Sequence, residues 1–318
     1  MANVLAELFG DIADAIRTKT GGTDKMSPAA FPEKISAIEA GGGSSLPAGI
    51  YWQQDDVKMP NAYRKMLFMF DGALYAWTLT AIGTTASSTI NVYKYVNGSW
   101  TQKVTAYDLG RYGYTPKGVV EFNGKAHVIG DSAKNHFTYD DTNGVIAKNN
   151  LPNNATSNST FVQDGKLKYY SYSDGNVYVW DEDTDSWTVE ALVGSKYAEY
   201  RFYMVGESVY AENQKKMYRY ENGALVNVGT SLFYIDKGCV VGKRIYYLEG
   251  KTAGGVLYAY DTDTGENFVV GNTPGIASWH FIINTFDQIR LYGSDYDNQS
   301  SARYSLVMYE VKKDAANG

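Results

Sequence analysis

From residue 49 onward, apolar and polar positions alternate with a period of two in short runs broken by polar turns, the signature of half-buried β-strands. Six of these runs end on an aromatic residue just before a turn, at Tyr95, Tyr139, Trp180, Tyr220, Tyr260 and Tyr309. A second aromatic stands two residues earlier at Tyr93, Phe137, Tyr178, Tyr218 and Tyr258, with Val307 in the sixth run, so each pair shares one face of a strand. A helix would space such pairs by three or four. Turn signals recur at Asp71-Gly72, Asn123-Gly124, Asp164-Gly165, Gly206, Gly242 and Asp287, 36 to 52 residues apart. A second set recurs at Asn97-Gly98, Asn143-Gly144, Asp181 to Asp185, Asn222-Gly223 and Asp261 to Gly265. A repeat of this length with four strands per unit predicts an all-β fold, a six-bladed β-propeller.

The sixth unit has candidates for its first three strands at His280–Ile283, Gln288–Tyr292 and Ser305–Tyr309, and none for its fourth. Gly49-Ile50-Tyr51-Trp52-Gln53-Gln54 resembles the fourth strands and has no unit before it. The prediction is that it closes the ring by pairing near Leu306, covering a row of otherwise unpaired backbone groups.

The first 40 residues follow a different period. Val4, Leu5, Leu8, Phe9, Ile12 and Ile16 form one stripe on a predicted helix that ends near Gly21-Gly22. Ser27-Pro28 reads as the start of a second short helix with Phe31, Ile35 and Ile38 on its buried face. So short a segment cannot bury its own stripe, so Leu5, Leu8, Phe9, Ile12, Ile16, Phe31 and Ile35 are predicted to dock on another chain or on copies of this one, a trimer being one solution. The Gly/Ser-rich stretch 41–48 reads as a flexible joint. The expected organisation is therefore an α-helical attachment segment over 1–40, a linker over 41–48 and the propeller over 49–318.

Composition narrows the function classes. Tyrosine stands out, with 28 copies against 7 Pro and 3 His, which suits twisted sheet and also sugar or protein contact surfaces. A formal charge of −6 argues against nucleic acid or an anionic membrane as partner. The N-terminus lacks a basic region followed by an apolar core, and no stretch approaches a membrane-spanning length, so synthesis in the cytoplasm without membrane insertion is expected. The one cysteine, Cys239, lies in an apolar run and is expected to be an inert core thiol.

Catalytic patterns are sparse. His127, His136 and His280 are the only histidines, and none sits in a nucleophile motif. The acidic run Asp181 to Asp185 lacks the Gly and distal Glu of a calcium loop and reads as a solvated turn. No phosphate-cradling loop or Cys/His metal spacing occurs, so neither cofactor nor metal is expected. Strand order instead sends the connections between second and third strands, and from fourth strands to the next unit, to one face of a propeller. There the sequence gathers Tyr107, Arg111, Tyr112, Tyr114, Tyr197, Trp279, Asp295 and Tyr296 as candidate ligand-binding residues, aromatic faces for stacking on sugar rings and polar groups for hydroxyls.

Two resemblances add to this reading. Trp180-Asp181-Glu182-Asp183-Thr184-Asp185-Ser186-Trp187 and Tyr260-Asp261-Thr262-Asp263-Thr264-Gly265 look like Kelch-type propeller repeats, although the Gly-Gly doublet usual in those repeats is replaced here by residues such as Ala76-Trp77 and Tyr169-Tyr170. The segment Ile12 to Gly21, followed by Lys25 to Ile38, resembles a stretch common in tail, baseplate and fibre proteins of phages and prophages of Gram-positive bacteria. That resemblance implies a virion tail protein, attached to other tail or baseplate proteins through its N-terminus and exposing the Kelch-like propeller to bacterial surface glycan. The alternatives from other classes are a glycan-cleaving tail enzyme and a structural tail protein that binds no host component.

Overall fold

In the computed structural model the described residues are 49–55, 60, 64–79, 89–97, 99–108, 116–130, 135–232, 235, 238–249, 255–273, 278–285, 288–294 and 304–311. Every regular element among them is a strand. The N-terminal helices expected over the first 40 residues, and the stripe from Leu5 to Ile35, lie outside them.

Strand β1 covers Gly49–Asp55. A first sheet follows from β2 (Arg64–Phe70), β3 (Ala73–Leu79), β4 (Thr89–Val96) and β5 (Ser99–Asp108), and a second from β6 (Pro116–Phe122), β7 (Lys125–Gly130), β8 (His136–Asp140) and β9 (Gly144–Ala147). The third comprises β10 (Ala155–Gln163), β11 (Lys166–Ser171), β12 (Asn176–Asp181) and β13 (Ser186–Leu192). In the fourth are β14 (Arg201–Val205), β15 (Ser208–Asn213), β16 (Lys216–Glu221) and β17 (Ala224–Thr230). The fifth holds β18 (Gly238–Val241), β19 (Arg244–Leu248), β20 (Val256–Asp261) and β21 (Asn267–Asn272).

The chain thus builds five propeller blades, each of four consecutive antiparallel strands. The remaining sheet is assembled differently: β22 (Ser278–Thr285), β23 (Gln288–Ser294) and β24 (Tyr304–Val311) are joined at the outer edge by β1, in the order β1-β24-β23-β22. The expectation of six blades is corrected to this extent, since the sixth sheet is not a unit of consecutive strands like the other five. The pairing of β1 with β24 follows the closure expected for 49–54.

The turns explain why the strands pair as they do. Two-residue connections match strand twist with left-handed backbone at both central positions or at a glycine in the first. Asp71 and Gly72 have φ of 46° and 64°, Asn123 and Gly124 48° and 69°, and Asp164 and Gly165 53° and 66°. One turn escapes this sequence rule: β15 and β16 are joined by Gln214 and Lys215, at φ 50° and 66° without a glycine. Its compensation is Glu212, whose Oε1 accepts the Lys215 N–H at 2.7 Å. In three sheets the aspartate after the repeated aromatic caps the turn between third and fourth strands. Asp140 Oδ1 accepts from the Thr142 and Asn143 amides, Asp181 from those of Asp183 and Thr184, and Asp261 from those of Asp263 and Thr264.

The apolar core is a series of clusters between neighbouring sheets. Tyr75, Trp77 and Val92 pack on Phe137 and Tyr139; Val120 and Ile129 on Tyr169, Tyr178 and Trp180; Phe161 and Tyr170 on Phe202 and Tyr220. Tyr203 and Tyr210 then meet Tyr247 and Tyr258, and Leu248 and Leu257 meet Ile282 and Leu291. Ile283 of β22 reaches Leu67, Leu74 and Ala76 of the first sheet. Cys239 is a buried free thiol in this core, where burial pushes its pKa up.

The repeated aromatics have a second task. In four sheets the pairing of third and fourth strands slips by one residue just before the first aromatic of the pair, between Val92 and Tyr93, Val177 and Tyr178, Met217 and Tyr218, and Leu257 and Tyr258. The extra residues opposite these slips are Lys103, Glu190, Val228 and Val270. Three of these bulges serve the next sheet's aromatic. Tyr220 donates to Glu190 Oε2 at 2.8 Å and Tyr260 to the Val228 carbonyl at 3.3 Å. Tyr139 donates to Asp141 at 2.6 Å, the carboxylate that Lys103 Nζ approaches at 3.7 Å. At Asp141 burial works to raise the pKa, but hydrogen bonds from Tyr139, Lys94 and Tyr75 outweigh it and hold the acid charged. The second sheet shows no register shift between β8 and its short β9, and the equivalent aromatic of the third sheet is Trp180, which has no hydroxyl to place.

Candidate functional site

First strands begin, and second strands end, on the same side of each blade, so the connections between second and third strands and those leading to the next blade share one face. Its best described part lies between the third and fourth sheets, where residues 172–175 meet residues 193–200. The two loops are bound backbone to backbone. The Gly175 carbonyl accepts the Val193 and Gly194 amides at 3.0 and 3.1 Å, and the Tyr172 carbonyl accepts the Tyr197 amide at 2.8 Å. Gly175 is required here: its φ is 79°, and a Cβ would sit 2.2 Å from the Gly194 oxygen.

Tyr197 is the exposed centre of this arrangement, with 59% of its surface open to solvent. Its φ of 68° puts a bulky aromatic in the left-handed region, a conformation held by the turn that closes with Ala198 N–H on the Ser195 carbonyl at 3.0 Å. The Tyr172 ring lies 5.3 Å away at 56°, and the Lys196 ammonium stands 4.9 Å from the Tyr197 ring centroid. Beneath, Tyr170 donates to the Ala198 carbonyl at 2.7 Å and the Tyr200 ring meets Tyr170 and Tyr218 edge-on. Alongside, Asp174 Oδ2 accepts from Tyr178 and from Asn153 Nδ2, both at 2.6 Å. The pKa of Asp174 is lowered: burial would raise it, and these bonds prevail. The exposed Tyr197 therefore stands beside a half-buried Tyr172, on a shelf where the Tyr170 hydroxyl and the Asp174 carboxylate are already hydrogen-bonded.

Behind the shelf lies a buried acid. Glu212 pairs across the strands with Arg201, and both side chains are buried. Burial raises the Glu212 pKa to about 7, against which the Lys215 amide and the Arg201 charge act. Arg201 also lies 3.6 Å from Glu199. Because the folded-state pKa exceeds the unfolded value of about 4.5, this group's contribution to stability is complete below pH 4.5 and is lost as pH rises through 7. Glu212→Gln keeps the acceptor for Lys215 and removes the titration. It is expected to raise the melting temperature at pH 8 and to leave it nearly unchanged at pH 4.5, a difference that calorimetry at the two pH values reads directly.

Of the residues singled out from the sequence, Tyr197 stands on this face. Tyr107 is on β5, half-buried, its ring edge-on to Phe137 at 6.0 Å within the core between the first two sheets, a packing role. Trp279 belongs to β22. Arg111, Tyr112, Tyr114, Asp295 and Tyr296 lie outside the described residues. Sequence reasoning missed Tyr172 and Lys196. The signal for Tyr172 is its place one residue past the end of β11, where the chain emerges on the loop face. The acidic run Asp181 to Asp185 is a capped turn, with Glu182 turned back to Lys125 and Asn123 at 2.8 and 2.9 Å. Among the described residues no cluster of His, Cys, Asp and Glu could hold a metal, and no helix is long and apolar enough to cross a membrane.

No protein-family model and no curated protein matches the sequence. Solved structures do resemble the fold. A protein of Bacteroides fragilis NCTC 9343 described as exported is 13% identical, with a TM-score of 0.55 over 83% of this chain and 96% of its own. A streptogramin B lyase is 11% identical, with a TM-score of 0.51 over 82% of this chain and 98% of its own. At such identities the likeness concerns architecture alone: the chain is a β-propeller.

Proposed function

We propose that this chain is a host-attachment protein of a phage or prophage tail, a non-catalytic binder of bacterial surface glycan. In this reading the sheet of β22, β23, β24 and β1 closes a Kelch-like ring beside the five blades of consecutive strands. The N-terminal segment, with its stripe from Leu5 to Ile35, holds the chain on other tail proteins and on copies of itself, and several copies per virion multiply weak contacts by effective concentration. The observation that carries the binding reading is Tyr197: an exposed aromatic in a costly backbone conformation, fixed by hydrogen bonds to its neighbours and left open to solvent. Such a ring stacks on a pyranose without moving. Binding rather than cleavage is favoured because Glu212, the described carboxyl with a pKa near neutrality, is sealed from solvent.

The test is retention of the labelled full-length chain on Gram-positive cells and on their purified walls. Retention without release of soluble oligosaccharide is expected. Oligosaccharide appearing in the supernatant would replace the binder with an enzyme, and no retention on any wall would replace it with a structural tail protein.

A further inference from the structure

The corner formed by Tyr172, Lys196 and Tyr197 has a chemistry more specific than aromatic stacking. Lys196 carries its ammonium beside an exposed ring, and among the described residues no carboxylate lies within ion-pair distance of it. The nearby acids are engaged elsewhere: Glu199 with Arg201, and Asp174 with Tyr178 and Asn153. In a chain of net charge −6 this is a local positive point on the loop face. A pyranose laid on Tyr197 brings a substituent of its own ring within reach of that ammonium, and the substituent that complements it is an anion. We propose that this corner is a subsite for an acidic pyranoside, a sugar ring bearing a carboxylate, with Tyr197 as the stacking platform, Tyr172 as its buttress and Lys196 as the charge partner. The inference rests on the glycan-binding reading above and names the ligand class.

Titration of the full-length chain with a hyaluronan octasaccharide, which carries a carboxylate on alternate rings, and with a neutral chitin oligosaccharide separates charge from stacking. The acidic probe is expected to bind about three- to fivefold more tightly, the range of a screened exposed ion pair, with an affinity that falls as salt is raised from about 50 to about 500 mM. Tyr197→Asn suits the left-handed backbone and so preserves the fold, which the melting curve verifies; it is expected to weaken both probes tenfold or more. Lys196→Gln is expected to abolish the salt dependence and bring the acidic probe down to the neutral one. Equal affinity for the two probes, no binding of either, or unchanged binding in the two variants overturns the assignment. Retention on cells alongside any of those results leaves the attachment reading standing with a different ligand class, whereas loss of cell retention removes both.

Discussion

Glu190→Ala is expected to cost about 1 to 3 kcal/mol of folding stability, the range for leaving a buried hydrogen-bonding group without its partner. Glu190 is the bulged residue of β13, and its carboxylate serves two groups that have little alternative. Oε1 takes the Lys168 ammonium at 2.9 Å, and Oε2 takes the Tyr220 hydroxyl at 2.8 Å. Lys168 is only 2% exposed; its other oxygen contacts are Gln163 at 3.3 Å and the exposed Asp164 at 3.9 Å. Removal of Glu190 therefore leaves a buried cation partly uncompensated and a buried phenol without its acceptor. Denaturant unfolding of the single variant and of Glu190→Ala combined with Lys168→Met discriminates the causes. The double variant is expected to recover more than half of the loss, because it removes the stranded charge. A single-variant loss below about 1 kcal/mol would mean that the bulge contributes no more than a surface pair.

The same bulge marks the limit of what the sequence reveals. The propeller was legible because its signals are local: the two-residue spacing of Tyr178 and Trp180 reports a strand face, and Asn123-Gly124 reports a hairpin. Pairing of β1 with β24 was legible as well, through the missing fourth strand after Tyr309. The slip before Tyr178 was not legible, because it depends on how far β13 is displaced against β12, and no residue type is reserved for that position, which holds a lysine, a glutamate and two valines at Lys103, Glu190, Val228 and Val270. The turn at Gln214 and Lys215 was hidden for a related reason, since its acceptor, Glu212, reads from the sequence as an ordinary strand acid. On the loop face Tyr197 could be named as an aromatic beside a turn. That its amide is tied to Tyr172 and that Lys196 lies over its ring are consequences of two loops meeting, which spacing along one chain does not encode. At Tyr107, an aromatic near a strand end, the half-buried ring packs edge-on against Phe137 beside the core, a contact that spacing along the chain does not encode either.

Acidification is expected to act first between the second and third sheets. His127 and His136 face each other there with Nδ1 and Nε2 2.9 Å apart, each 1% exposed, and His136 lies edge-on to Trp180 and Trp187 at 4.7 and 5.3 Å. Burial lowers the His127 pKa to about 4; the Glu182 charge opposes that shift, and Lys125 and Lys148 reinforce it. His136 is held well below its ordinary value by burial, then by His127 and Lys148. Both imidazoles are therefore neutral in the folded protein, and protonation is favoured in the unfolded chain, where their pKa is about 6.5. The sign follows: the stabilisation is complete above pH 6.5 and drains away as pH falls through about 4. The His127 shift alone corresponds to about 3 kcal/mol at 1.36 kcal/mol per pKa unit. Carboxylates titrate in the same range, so the difference between wild type and His127→Phe/His136→Phe isolates the pair. Unfolding free energies measured at pH 7.5, 6, 5 and 4 are expected to fall by at least about 3 kcal/mol more in the wild type than in the double variant. Parallel pH profiles would mean that the imidazoles reach water before the sheets part, and that the contact with Trp180 and Trp187 opens locally at little cost.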